Sequence, residues 1–426
     1  MLPSPKSLIL ALVGLLSGLA VLTANAAGLK VLQADAMLDV TTGRLVTPAN
    51  IVVEGEHISA INPAELPAGA EVIALPGLTL MPGMIDVHTH LSYEITPGWE
   101  TEPVRWNYGE YAIRSAKNAR KTLLAGFTTI RELGAAPGFA DVATMRAIER
   151  GDIIGPHIIP SGHALSTTGG HCDITGFAPG IAEGDYRTGI ADGVDEILKS
   201  IRYQIKHGAK AIKICATAGV LSFEGPVGAQ QYSFEELKAA ADETHRHGLK
   251  IAAHAHGTEG IIAASEAGID SIEHNSLMTE EAARIIKKNG TWITPNIYLT
   301  HAIDMDLLPA QIRAKAEYVL PLSYESFKRA VDMDLNMAFG TDAGVFTHGE
   351  NAHELAARVD LGQSPADAVR VATAESARAL GLDDRGVIAT GKLADLIAVA
   401  GNPAEDVSLL QNVAFVMKAG TTYKLP

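Results

Sequence analysis

Over residues 29–80 apolar and polar positions alternate in short runs: LKVLQADAMLD, NIVVEGEHISAI and AEVIALPG. Thr42-Gly43, Glu54-Gly55 and the stretch from Pro63 to Gly69 punctuate them as turns, so the segment reads as strands of period two. The same character returns near the other end in KLADLIAVAG and VAFVMKAGTTYKL. Short ribbons are unstable alone, so pairing of the two ends is expected to form a small β-sandwich from residues 28–80 and 385–426. Between them, over residues 81–384, brief β-branched runs alternate with helical stretches, one of which begins with the capping pattern Ser233 to Glu236. Eight strands are expected: Met84–Val87, Phe127–Ile130, His157–Pro160, Ala211–Ile214, Ile251–Ala253, Ser271–Glu273, Trp292–Thr294 and Met337–Phe339. That count predicts an α/β fold with a (β/α)8 TIM-type barrel. The competing open sheet lacks its usual G-x-G-x-x-G turn after the first strand.

The first residues follow neither pattern. Lys6, the apolar run from Ser7 to Leu22 and Ala24-Asn25-Ala26 read as a cleavable secretory signal over residues 1–27, placing the protein in the periplasm or outside the cell. An uncleaved anchor is the competing reading, since a run of about 20 residues can span a bilayer. No further apolar run of that length follows, so no stable membrane insertion is expected after cleavage. Composition then removes one class of partner: 34 Lys plus Arg against 49 Asp plus Glu, net charge -15, offers nucleic acid no basic surface. Cys172 and Cys215 are too few for a disulfide scaffold, and one disulfide or two buried thiols are equally compatible with their positions.

Metal-competent side chains recur at the C-terminal ends of the expected barrel strands, where barrel active sites are built. His88 and His90 stand two apart in an extended run and so share a side. Lys213 lies in the fourth strand, His254 ends the fifth, His274 follows the sixth, and Asp342 follows the eighth. One strand-end histidine is usually a satisfied core residue; several in barrel order make a metal site. Histidines completed by a carboxylate point to zinc by default, with manganese or cobalt also suited.

These residues resemble the amidohydrolase superfamily, from about Lys30 to the C-terminus. LMPGMIDVHTHL (Leu80 to Leu91) is similar to its first-strand motif, GTDAG (Gly340 to Gly344) to its strand-eight signature, and KLADLIAV (Lys392 to Val399) to its returning β-segment. The resemblance implies a centre of two divalent metal ions held by His88, His90, Lys213, His254, His274 and Asp342. An ammonium would be repelled by the cations, and the family's solution, a CO2-derived carbamate on the lysine, is implied for Lys213. Lys210, three residues earlier, leaves the register to be settled. Asp342 would accept a proton from the attacking water and pass it to the leaving nitrogen.

The loops most resemble those of Xaa-Pro dipeptidase-type members, which include enzymes splitting ochratoxin-like N-acyl amino acids. The resemblance implies a small amide or dipeptide substrate and a homo-oligomer. His163 and Tyr298 are expected to hydrogen-bond the scissile carbonyl or its oxyanion. His171 or Arg105 would meet a terminal carboxylate. Tyr93, Trp99, Trp106, Tyr108 and Tyr111 crowd the first βα loop and suit an aromatic substrate group, a lid or an oligomer contact. The alternative is a mononuclear deaminase or cyclic-amidine hydrolase of imidazolonepropionase type, which would use a glutamate just past strand five, with Glu259 as candidate. A binding protein without turnover is a third reading, and it leaves the buried polar set unexplained.

Overall fold

The computed structural model describes residues 28–426; the signal expected over residues 1–27 lies outside the described residues. No helix of the described residues is long and apolar enough to cross a membrane. The chain opens with strands β1 (Leu29–Asp39), β2 (Arg44–Val46), β3 (Ala49–Glu54), β4 (His57–Ile61) and β5 (Glu71–Pro82). Then β6 (Met84–Thr89), β7 (Phe127–Glu132), β8 (His157–Pro160), β9 (Ala211–Cys215), β10 (Lys250–Ala255), β11 (Ser271–His274) and β12 (Trp292–Thr294) alternate with helices. The chain closes with β13 (Leu396–Ala400), β14 (Phe415–Lys418) and β15 (Thr421–Lys424).

The two ends share one sheet of eight strands, in the order β15-β14-β13-β5-β1-β3-β4 with β2 on β1. Leu396 to Ala400 run antiparallel to Leu78 to Pro82. The sandwich expected here is thus a single sheet that curls back on itself. Ile58 N donates to Lys392 O at 2.9 Å and Ala394 N to Glu56 O at 2.8 Å, bringing β4 to the segment that enters β13. Alternation then sorts the strands between two cores. Leu396, Ala398, Phe415 and Met417 point into the sheet's own core, while Ile397, Val399 and Val416 face the main core beneath the barrel strands.

The barrel strands form two parallel sheets, β6-β7-β8 and β12-β11-β10-β9. At one seam Leu165 N donates to Lys213 O and Cys215 N to Leu165 O, both at 2.8 Å. At the other, Ile293 N donates to Asn336 O and Ala338 N to Ile293 O, both at 2.9 Å, and Val87 N donates to Phe339 O at 2.8 Å. The order of contacts is that of a barrel, yet the expected eighth strand is reduced to an isolated bridge between Ile293 and Met337. Side chains occupy its ladder groups: Ser376 Oγ accepts from Phe339 N at 2.9 Å, and Arg358 donates to Ala338 O at 3.1 Å. The predicted helix start is present, with Ser233 and Glu236 forming a reciprocal capping box ahead of helix Phe234–Arg246.

Candidate active site

All the strand ends of β6, β9, β10 and β11 open on one cavity of about 490 Å³, lined by His88, His90, Lys213, His254, His274 and Asp342. The strand period explains the first pair: His88 and His90 stand two apart at the end of β6, and both reach Asp342 Oδ1, at 3.4 and 3.1 Å from their Nε2 atoms. His88 and His274 have ring centroids 5.0 Å apart, and His254 and His274 4.6 Å. Two groups of ligand atoms lie within 4.8 Å of one another: His88 with His274 and Asp342, and His254 with His256 and His274.

The donor set fits divalent cations. The Nε2 atoms of His88 and His254 are buried with no hydrogen-bond partner among the described residues, an expensive arrangement for a core that holds nothing. Burial holds His88 down to about 4, and His254 and His274 well below the usual imidazole range, so the rings are neutral and have a free lone pair. Burial pushes Asp342 upward, but His88 and His90 outweigh it and hold the carboxyl well below its ordinary value. Burial brings Lys213 down to about 8. Lys210 is exposed, while Lys213 is buried and lines the cavity.

Backbone strain accompanies these positions. His274 and Asp342 have φ of 70° and 62°, a region that non-glycine residues seldom occupy and that costs about 1–3 kcal/mol each. The GTDAG glycines are explained by the same crowding. A Cβ on Gly340 would sit 2.9 Å from that of His88, and one on Gly344, whose φ is 120°, would sit 2.6 Å from His90 O.

Behind the rings stands a polar layer that pattern reading missed. Glu273 Oε2 lies 2.9 Å from His88 Nδ1, while Arg131 and Ser271 donate to Glu273 Oε1 at 2.8 and 2.7 Å. Burial raises this carboxyl, but Arg131 and His88 outweigh it and bring it to about 2. Glu273 therefore accepts from Nδ1–H and turns Nε2 toward the cavity. Asp86 accepts from Thr341 Oγ1 at 2.6 Å and Asn351 Nδ2 at 2.8 Å, tying the eighth segment to β6. Arg131 and Glu273 sit inside strands β7 and β11, where sequence spacing alone marks neither as a partner of the other. His256 had a signal, since His254-Ala255-His256 repeats the H-x-H spacing of His88 and His90.

The outer cavity holds His163 and His171, together with Tyr93, Trp99, Trp106, Tyr108 and Tyr111. His171 Nδ1 lies 2.5 Å from Ser222 Oγ, and its ring is centred 4.1 Å from His254. Cys172 and Cys215 form a disulfide with Cα atoms 6.1 Å apart, strapping the His171 loop to the end of β9. Three candidates lie elsewhere. Tyr298 is absent from the cavity lining; it opens helix Leu299–Ala302, and its ring packs on His353 and Phe346, both centred 5.1 Å away. Arg105 is exposed outside the lining, and Glu259 is exposed in the first turn of helix Thr258–Ala267.

Residues 79–423 match the model of the Amidohydrolase family. The chain belongs to that family. This amidohydrolase is 33% identical over 376 residues to ochratoxinase of Aspergillus niger, covering 82% of this chain and 76% of the relative. A solved Xaa-Pro dipeptidase with methionine bound in its active site superposes with a TM-score of 0.87 at 35% identity, over 93% of this chain and all of that one. Imidazolonepropionase of Deinococcus radiodurans is more distant, 25% identical over 384 residues, covering 85% of this chain and 88% of the relative. The amidohydrolase is accordingly a hydrolase acting on amide bonds.

Proposed function

We propose that this amidohydrolase releases the C-terminal amino acid of Xaa-Pro-type dipeptides or N-acyl amino acids, including ochratoxin-like aromatic amides. The observation that carries the reading is the convergence of His88, His90, Lys213, His254, His274 and Asp342 on one cavity with unpartnered ring nitrogens. Two divalent ions, zinc by default, would be held by these six residues, with Lys213 serving as its CO2-derived carbamate. Bound ions of this kind supply Lewis acidity and lower the pKa of water.

The chain's own residues supply the rest. Asp342, anionic and beside His88 and His90, takes the proton of the attacking water and returns it to the leaving nitrogen. Glu273 and Arg131 hold His88 in its ligating tautomer. His163 and His171 meet the substrate, and the aromatic side chains of the first loop receive its apolar group. The imidazolonepropionase-like alternative is disfavoured by the exposed position of Glu259 and by the buried Lys213. Export behind a cleaved signal and assembly as a homo-oligomer belong to the same proposal; amino-terminal sequencing and light scattering of the expressed protein test them.

The deciding experiment combines metal analysis of the purified protein with hydrolysis of Xaa-Pro dipeptides and aromatic N-acyl amino acids. About two ions per chain with amide cleavage is the expected result. One ion per chain with amidine or deaminase turnover would overturn the reading.

A further inference from the structure

His163 is buried, its ring lines the cavity, and its Nε2 has no partner among the described residues. Its backbone N and its Nδ1 lie 3.0 and 3.1 Å from the same atom, Gln204 Oε1. A backbone N–H can only donate, so that atom is the amide oxygen, and the Gln204 Nε2 donating to Arg187 O at 3.3 Å agrees with this orientation. An oxygen of this kind only accepts. Nδ1 therefore carries the hydrogen, and the neutral ring presents a lone pair at Nε2. Phe139 packs edge-on with its centroid 4.5 Å from the ring and fixes its plane.

The rest of the lining complements an electron-pair donor of this sort. Lys213 is the one Lys or Arg among the described lining residues, whereas Glu94, Glu100, Glu102, Asp173 and Glu183 all face the cavity. Lys117 neutralises Glu94 and Arg114 neutralises Glu102, at 2.6 Å each. Among the described residues Glu100, Asp173 and Glu183 have no such cation; Asp173 accepts from Gly169 N and Ile174 N, and Glu183 from Gly180 N. A substrate group with N–H donors and positive charge satisfies both the carboxylates and the His163 lone pair.

We infer that Gln204 is a positioning residue that holds His163 as a hydrogen-bond acceptor for substrate, so that the cavity selects dipeptides with a free α-ammonium over N-acylated amino acids. The inference rests on the amide-hydrolase reading and narrows it, and it reverses the expected role of His163 as a donor to the oxyanion. Nothing in the arrangement donates from Nε2 while the ring is neutral.

The test compares kcat/KM for a free dipeptide and its N-acetyl derivative, with the same aromatic or prolyl leaving residue, on the metal-loaded enzyme. Acetylation is expected to lower kcat/KM by about 100-fold, because it removes the positive charge that faces the carboxylates and leaves only a single amide N–H for the His163 acceptor. Gln204→Met is expected to shrink that ratio about tenfold, and 15N NMR of the histidines should show His163 protonated at Nδ1 in the wild type and redistributed in the variant. Equal or faster cleavage of the acetylated substrate, or an Nε2–H tautomer in the wild type, overturns the inference and leaves amide hydrolysis intact. Cleavage of neither substrate overturns the parent reading itself. The wild-type measurements do not depend on whether Gln204→Met folds.

Discussion

Asp141 shows how a residue remote from the candidate metal ligands still sets the surroundings of the cavity. It is fully buried, accepts from Gly162 N at 2.7 Å and Val142 N at 2.8 Å, and so anchors the turn that presents His163. Burial pushes its carboxyl up from 3.8 to about 6. The folded state thus binds this proton more tightly than the unfolded chain; the stabilisation is complete below pH 3.8 and lost as pH rises through about 6. Asp141→Asn, which does not titrate, is expected to gain on the wild type by about 2 kcal/mol between pH 4 and pH 7 in denaturant melts. A pH-independent difference would refute the assignment. Closer in, Lys213→Ala should remove most bound metal and activity, whereas Asp342→Asn should keep part of the metal and lose turnover by at least about 100-fold. Arg131→Met leaves Glu273 buried without its cation, and metal affinity should fall about 10- to 100-fold in chelator competition. At this scale the sequence was informative where chemistry requires a residue type at a fixed spacing, as for His88 and His90. It was silent where a charge inside a strand gains its meaning from a partner far along the chain, as Arg131 does from Glu273.

Among the elements, the best-read ones announce themselves locally. β9 to β12 follow apolar runs, and helix Phe234–Arg246 follows its cap. Met337–Phe339 was expected as a strand because its sequence is apolar, but Ser376 and Arg358 take the backbone groups a ladder would use. Tyr298 lies off the cavity lining for a related reason: the residue beyond a strand end can turn into the next helix, and Glu354 holds it there through Tyr298 N at 2.7 Å. The disulfide belongs to this scale as well. By joining the His171 loop to β9 it limits how far that loop can swing from Lys213. Reduction by a dithiol, or Cys172→Ser with Cys215→Ser, should raise KM more than it lowers kcat and speed proteolysis between residues 165 and 192. Unchanged KM and protection would show that packing alone holds the loop.

For the whole molecule, the cations and the fold are linked. Neutral histidines with unpartnered nitrogens are a cost to the empty protein that bound metal removes, so chelation should lower Tm and restoring the metal should recover it. The meeting of the two chain ends was legible from their shared period, while the curl that makes one sheet act as two walls was not, because it depends on contacts such as Ile58 with Lys392.

That meeting also bears on how the protein is made. Pro82 pairs with Leu396, so β5 has no neighbour on that side until nearly the whole chain has been synthesised. The early strands must remain soluble with an open edge throughout that interval, and contact order of this kind slows folding. Refolding should accordingly be rate-limited by capture of the last strands, and a chain emerging at one end of a ribosome or a translocation channel would keep β5 available to chaperones until its final segment arrived.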